Sequence, residues 1–220
     1  AEADAAATTA AAAAAETGML SSVLAVAGPI CFGFLQVSGL KTVKEIKDKG
    51  TTGDLSPLQF VSLAVNCSVW VLYGILRWDM TVLLPNFSGL LFGLYYTSVY
   101  AKYTPTPITK YLAGGTAIAA TAGGIAATMP AATAATSIGL IGCTMAVILM
   151  SAPLATMKQV IATGDTSSMP FNTSLATLLN AISWTGYGAI VAHDPLIWGP
   201  NALGLVAASV QMGLFAKFGI

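Results

Sequence analysis

The feature that most constrains this chain is a duplication. Asn66 to Gly89 reads NCSVWVLYGILRWDMTVLLPNFSG, and Asn180 to Gly204 reads NAISWTGYGAIVAHDPLIWGPNALG. Asn66, Trp70, Tyr73 and Gly74 return 114 residues later as Asn180, Trp184, Tyr187 and Gly188. Asp79, Pro85, Asn86 and Gly89 return 115 residues later as Asp194, Pro200, Asn201 and Gly204, so the second copy carries one extra residue in between. Each copy places an asparagine directly after a proline inside an apolar run. The proline leaves a backbone carbonyl without its usual partner, and the asparagine brings an amide that lipid cannot satisfy. Inside a membrane, such a pair faces a cavity or another helix.

Composition places the duplication in a membrane. Hydrophobic residues make up 55% of the chain and charged residues 8%, against about 25% charged in a soluble domain. Mean hydropathy is +0.76, and several apolar runs are long enough to span a bilayer. The formal net charge is zero and basic patches interleaved with aromatics are absent, so no nucleic-acid partner is expected. Cys31, Cys67 and Cys143 lie in apolar runs without metal-ligand spacing, and there is a single His, so no metal and no cofactor are expected. A Ser/His/Asp set, paired carboxylates at depth and a phosphate-binding glycine loop are all missing, which argues against an enzyme.

The chain divides into an Ala-rich extension (residues 1–18), a first three-helix repeat (19–103), a linker helix (104–130) and a second three-helix repeat (131–220). The spacing predicts helices over about 20–46, 57–76, 80–100, 108–128, 135–162, 170–191 and 195–217. Gly28-Pro29 and Gly39 are expected weak points in the first, and the fifth is expected to continue through Ala152-Pro153-Leu154. The fold class is therefore all-α integral membrane, with seven transmembrane helices in a 3+1+3 parallel-repeat arrangement. Eight lysines (Lys41, Lys44, Lys47, Lys49, Lys102, Lys110, Lys158 and Lys217) fall on one side and Arg77 alone on the other. That asymmetry puts the N-terminus outside or lumenal and the C-terminus on the cytosolic, stromal or matrix side.

The ordered set Ala152-Pro153-Leu154, Lys158-Gln159-Val160-Ile161, Ser168-Met169-Pro170-Phe171, Trp184-x-x-Tyr187-Gly188, Asp194-Pro195 and Pro200-Asn201-x-x-Gly204 resembles the SWEET family of sugar facilitators. These proteins are known examples of parallel-repeat transporters. The resemblance covers roughly residues 25–217. It implies that sugar lies near mid-membrane between Asn86 and Asn201, flanked by Trp70 and Trp184. Amides exchange hydrogen bonds with hydroxyls, and an aromatic face packs on the apolar face of a pyranose. Interhelical hydrogen bonding by the asparagines and core packing by the tryptophans remain open as alternatives. Asn66 and Asn180, one turn before the tryptophans, are pocket residues or packing residues. The resemblance also implies inner-gate hinges, which fall on Pro57, Pro153 and Pro170, with Gly39 where the family has a fourth proline. Tyr73 and Asp194 match its outer gate, with Tyr187 and Asp79 as repeat mates; an interfacial tyrosine and a helix-starting aspartate are the plain alternatives.

Two functional expectations follow. The first is facilitative (uniport) transport of mono- or disaccharides by alternating access, with sugar and membrane lipid as partners. The second is a SWEET-like fold serving as a structural subunit of a larger organellar, photosynthetic or respiratory complex. In that reading residues 1–18 contact the assembly, a pigment or lipid is bound, and His193 or an Asn serves as pigment ligand. Homo-oligomerisation fits either.

Overall fold

A computed structural model describes the backbone of residues 2–220 and the side chains of residues 16–150 and 153–220. The partner surface expected at residues 1–18 falls mostly on side chains outside the described residues. The described chain is helical throughout, as α1 (Glu2–Lys49), α2 (Leu58–Arg77), α3 (Met80–Tyr103), α4 (Thr109–Thr128), α5 (Ala131–Leu149), α6 (Ser151–Thr163), α7 (Phe171–Gly186) and α8 (Pro195–Phe218). A π-helical turn, Tyr187–Val191, prolongs α7. Glu16–Lys49, Leu58–Arg77, Met80–Tyr103, Ala131–Thr163 and Pro195–Phe218 are long and apolar enough to cross a membrane. With α4, and with α7 joined to its π turn, they make the seven rods of the 3+1+3 order. Val26, Ile30 and Phe34, each more than half exposed, line one face of α1, which suits contact with lipid.

Two helices differ from the sequence expectation. The first starts at Glu2, not near residue 20, and runs unbroken through Pro29 and Gly39. A proline costs a helix one hydrogen bond, but α1 is held on both sides of the gap. Leu24 packs where Gly186 leaves room, and further along the Tyr96 hydroxyl donates to the Gln36 carbonyl at 2.7 Å. The fifth rod, expected to be continuous, divides at Met150. Pro153 has no N–H for the Leu149 carbonyl and its ring crowds that carbonyl, so α5 stops at Leu149.

The extra residue of the second copy has a visible fate. In the first repeat the Asp79 amide donates to the Gly74 carbonyl at 2.9 Å; in the second, the Asp194 amide donates to the Gly188 carbonyl at 2.8 Å. The same closing bond thus spans one more residue, and the π turn between absorbs it, with the Ala192 amide reaching Tyr187 at 2.9 Å. Single-residue insertions into helices take this form. Trp78 (φ 54°) and His193 (φ 49°), the residues just before each aspartate, both adopt the left-handed conformation. His193 is therefore part of a repeated turn.

The helices assemble around an approximate two-fold relation. α1 packs on α7 as α2 packs on α5, and the α2–α3 pair matches α7–α8. α4 lies against α2 and α5. One apolar cluster joins both repeats at the end bearing Arg77, through Leu24, Val69, Tyr73, Ile138, Trp184 and Tyr187. At the lysine-bearing end there are two clusters. Val43, Ile46, Phe60 and Tyr96 belong to the first repeat, and Met157, Val160, Met169 and Phe215 to the second. The molecule is joined at one end and split at the other.

Candidate functional site

Between the two ends lies a cavity of about 470 Å³. Asn66, Trp70, Val82 and Asn86 line it from the first repeat, and their mates Asn180, Trp184, Ile197 and Asn201 from the second. Phe32 of α1 is the ninth lining residue; its mate by the same spacing, Ala146, has no ring to offer. All six asparagines and tryptophans named from the sequence are thus brought to one cavity.

The two central amides are held alike. Asn86 Nδ2 donates to the Val82 carbonyl at 2.8 Å, and Asn201 Nδ2 donates to the Ile197 carbonyl at 2.8 Å. Each bond runs back one turn along its own helix and fixes the side-chain rotamer. The remaining N–H and the Oδ1 of each amide have no hydrogen-bond partner among the described residues. Asn180 Oδ1 is buried and unpartnered as well. A ligand that offers several hydroxyls answers all three.

The tryptophans are seated reciprocally. A Cβ on Gly28 of α1 would stand 3.1 Å from the Trp184 ring, and one on Gly142 of α5 would stand 2.9 Å from the Trp70 ring. Each repeat thus makes room for the other's indole. Trp70 meets Tyr73 edge-on at 5.3 Å, and Trp184 meets Tyr187 edge-on at 5.7 Å. These tyrosines link the cavity wall to the closed end.

That closed end is built from crossed pairs. The Tyr73 hydroxyl donates to an Asp194 carboxylate oxygen, and the Tyr187 hydroxyl lies 2.9 Å from both oxygens of Asp79. Each aspartate also starts a helix, Asp79 accepting from the Val82 amide at 3.1 Å and Asp194 from the Leu196 amide at 3.0 Å. Arg77 adds an ion pair to Asp194 at 3.3 Å. Beneath these bonds, Val82 and Ile197 are both almost fully buried. They form the apolar roof over Asn86 and Asn201.

At the split end the four hinge candidates occupy different settings. Pro57 and Pro170 immediately precede α2 and α7, while Pro153 lies within α6. Gly39 is pressed on Tyr96, whose ring would stand 2.7 Å from a Cβ there. Among the described residues α6 approaches only α5 and α8, and reaches no helix of the first repeat.

Several contributors escaped the sequence reading. Val82 and Ile197 carry the repeat spacing and were findable by it. So were Gly28 and Gly142, which are 114 residues apart. Phe32 and Gln36 carry no repeat signal. Gln36 is 3% exposed; its amide donates to the Pro85 carbonyl at 3.1 Å, and it accepts from Ser88. Sequence offered no sign that it binds the Pro85 carbonyl beside Asn86.

Two parallel three-helix repeats around a polar midline cavity define a membrane transporter of the internal-repeat class. The family described as "Sugar efflux transporter for intercellular exchange" matches this chain at residues 20–107 and again at 136–219, and the chain belongs to that family. Among its relatives, the bidirectional sugar transporter SWEET7 of Arabidopsis thaliana is 28% identical over 214 residues, 93% of this chain and 83% of its own length. The bidirectional sugar transporter SWEET4 of Oryza sativa subsp. indica is 30% identical over 193 residues, covering 84% of this chain and 74% of its own. A eukaryotic SWEET transporter solved at 3.7 Å superposes with a TM-score of 0.80 at 23% identity, over 92% of this chain and 98% of that one. That likeness is one of fold.

Proposed function

We propose that this protein carries mono- or disaccharides passively across a membrane by alternating access. The observation that carries the reading is the cavity lined by four repeat-related pairs, with its unpartnered amide groups on opposite walls. The sugar lies between Asn86 and Asn201, with its apolar faces against Trp70 and Trp184, and Asn66 and Asn180 take the outlying hydroxyls. Residues 19–103 and 131–220 act as the two rocking units and residues 104–130 as their linker. The crossed pairs Tyr73–Asp194 and Tyr187–Asp79 form the closed gate, and Pro153, with Gly39, Pro57 and Pro170, lies in the opposite gate. The lysine-bearing end faces the cytosolic, stromal or matrix side, which favours positive charge. The conformation is thus inward-facing. The relatives compared carry transporter names, and nothing in them supports the structural-subunit reading or a pigment at His193.

Uptake of labelled glucose and sucrose into proteoliposomes tests this. Asn86→Ala and Asn201→Ala each remove a hydrogen-bonding group worth about 1–3 kcal/mol when its partners are left buried, so saturable uptake is expected to fall roughly 10-fold or more. Uptake that stays at the wild-type rate in both variants, or is absent from folded wild-type protein, would reject the proposal.

A further inference from the structure

The lysine-bearing end of each repeat holds a cavity of its own, and the two are copies. Gln36, Gly39 and Tyr96 line the first, about 600 Å³; their mates Met150, Pro153 and Gln211 line the second, about 790 Å³. The α2 wall of the first copy presents Phe60 and Leu63, where the α7 wall of the second presents Ser174 and Thr177. Duplication kept the cavity, and divergence changed its lining.

The change falls at the ring positions. In the first copy the Tyr96 hydroxyl is bound to the Gln36 carbonyl and the Gln36 amide to Pro85, while Thr42 and Gln59 also line it and have no hydrogen-bond partner among the described residues. In the second copy, rings give way to a hydroxyl and an amide. Ser174 is only 6% exposed, and its hydroxyl, like the half-buried Gln211 amide and the exposed Thr173 hydroxyl, has no hydrogen-bond partner among the described residues. Polar groups that face a cavity without a protein partner are met there by water or a ligand. No charged side chain lines the cavity, and Met150, Met169 and Pro153 give it an apolar side. It also abuts the central site. Gly204 lines it less than one turn along α8 from Asn201.

We propose that this second-repeat cavity is an additional binding site for a neutral polyhydroxylated ligand, a free sugar of the class assigned to the central site. The ligand class rests on the transport reading above. The existence of the site rests on the duplicated cavity and its unpartnered groups. Along α8, Asn201 of the central site is followed by Gly204 of this cavity, and Ser174 and Gln211 stand where Phe60 and Tyr96 narrow the first-repeat copy.

The test is ¹⁹F NMR of a fluorinated glucose with the full chain in phosphatidylcholine nanodiscs, whose lipid supplies no polyhydroxylated headgroup. Two bound resonances are expected for the wild type. The Asn86→Ala/Asn201→Ala double variant should lose one. Ser174→Phe, which copies the first repeat's residue, should lose the other and keep the first, thereby reporting its own folding. Gln211→Ala, which fills nothing, should weaken the Ser174-dependent signal about 10-fold. A single bound resonance in the wild type overturns the proposal, as does loss of both in the double variant. Retention of both in Ser174→Phe and Gln211→Ala overturns it too. If the double variant keeps both while Ser174→Phe loses one, the central assignment fails and the second site stands.

Discussion

Asn86 and Asn201 show how one side chain can be fixed by its own helix and still face the cavity. Each spends one N–H on a carbonyl of its own helix, which fixes the amide and leaves its oxygen unpartnered among the described residues. The tryptophans are placed less directly, by what is missing opposite them. Gly142→Ala would add a methyl 2.9 Å from the Trp70 ring, and Gly28→Ala one 3.1 Å from Trp184. Overpacking of this kind costs about 1–3 kcal/mol. Both variants are expected to raise the KM for glucose uptake and shift tryptophan emission, Gly142→Ala more than Gly28→Ala. Wild-type KM and emission in both would show that these rings are not held by their glycines.

At the scale of the element, the π turn makes a sharp prediction. Deleting Ala189 turns Tyr-Gly-Ala-Ile-Val-Ala-His-Asp into Tyr-Gly-Ile-Val-Ala-His-Asp, with the spacing of Tyr73 to Asp79. The closing bond from Asp194 to Gly188 would then span the same number of residues as that from Asp79 to Gly74. The deletion is expected to leave Tm within roughly 4 °C of wild type, equivalent to about 1 kcal/mol or less. Deleting Ile75 in the first repeat, which has no spare residue, should cost several times more. Thermal melts of the two deletions in detergent decide the matter; equal losses would mean that the π turn is not an absorbed insertion. The break at Met150 obeys the same logic from the other side. Pro153 ends α5, and among the described residues no helix of the first repeat reaches α6 beyond it.

For the whole molecule, the question is what keeps one end shut. The crossed Tyr–Asp pairs reach between the repeats, whereas the lysine-bearing end has separate apolar clusters. Tyr73→Phe leaves Asp194 with Arg77 and the Leu196 amide, but removes a hydrogen bond to a charged group worth about 1.5–3 kcal/mol. The open-gate population should rise roughly 10-fold or more. Labelling of Val82→Cys by a membrane-impermeant thiol reagent added from the Arg77 side should quicken accordingly. Tyr187→Phe should act in the same direction. An unchanged labelling rate in both backgrounds would mean that these bonds do not hold the gate.

The sequence by itself determined the duplication, the seven rods, the Asn and Trp pairs and the capping aspartates. In lipid each backbone must satisfy its own hydrogen bonds, so rods are written locally in apolar runs and their caps. Two copies with one spacing then give paired residues without any coordinates. Tertiary structure decided what depends on a neighbour. Helix α1 survives Pro29 because helices of both repeats clamp it, whereas past the break at Met150 α6 meets only α5 and α8 among the described residues. Gly28 and Gly142 matter through the opposite repeat's indoles, and Ser174 and Gln211 line one cavity only because α7 and α8 pack together. Local hydrogen bonding made the elements legible. Contacts between residues a hundred positions apart made the site.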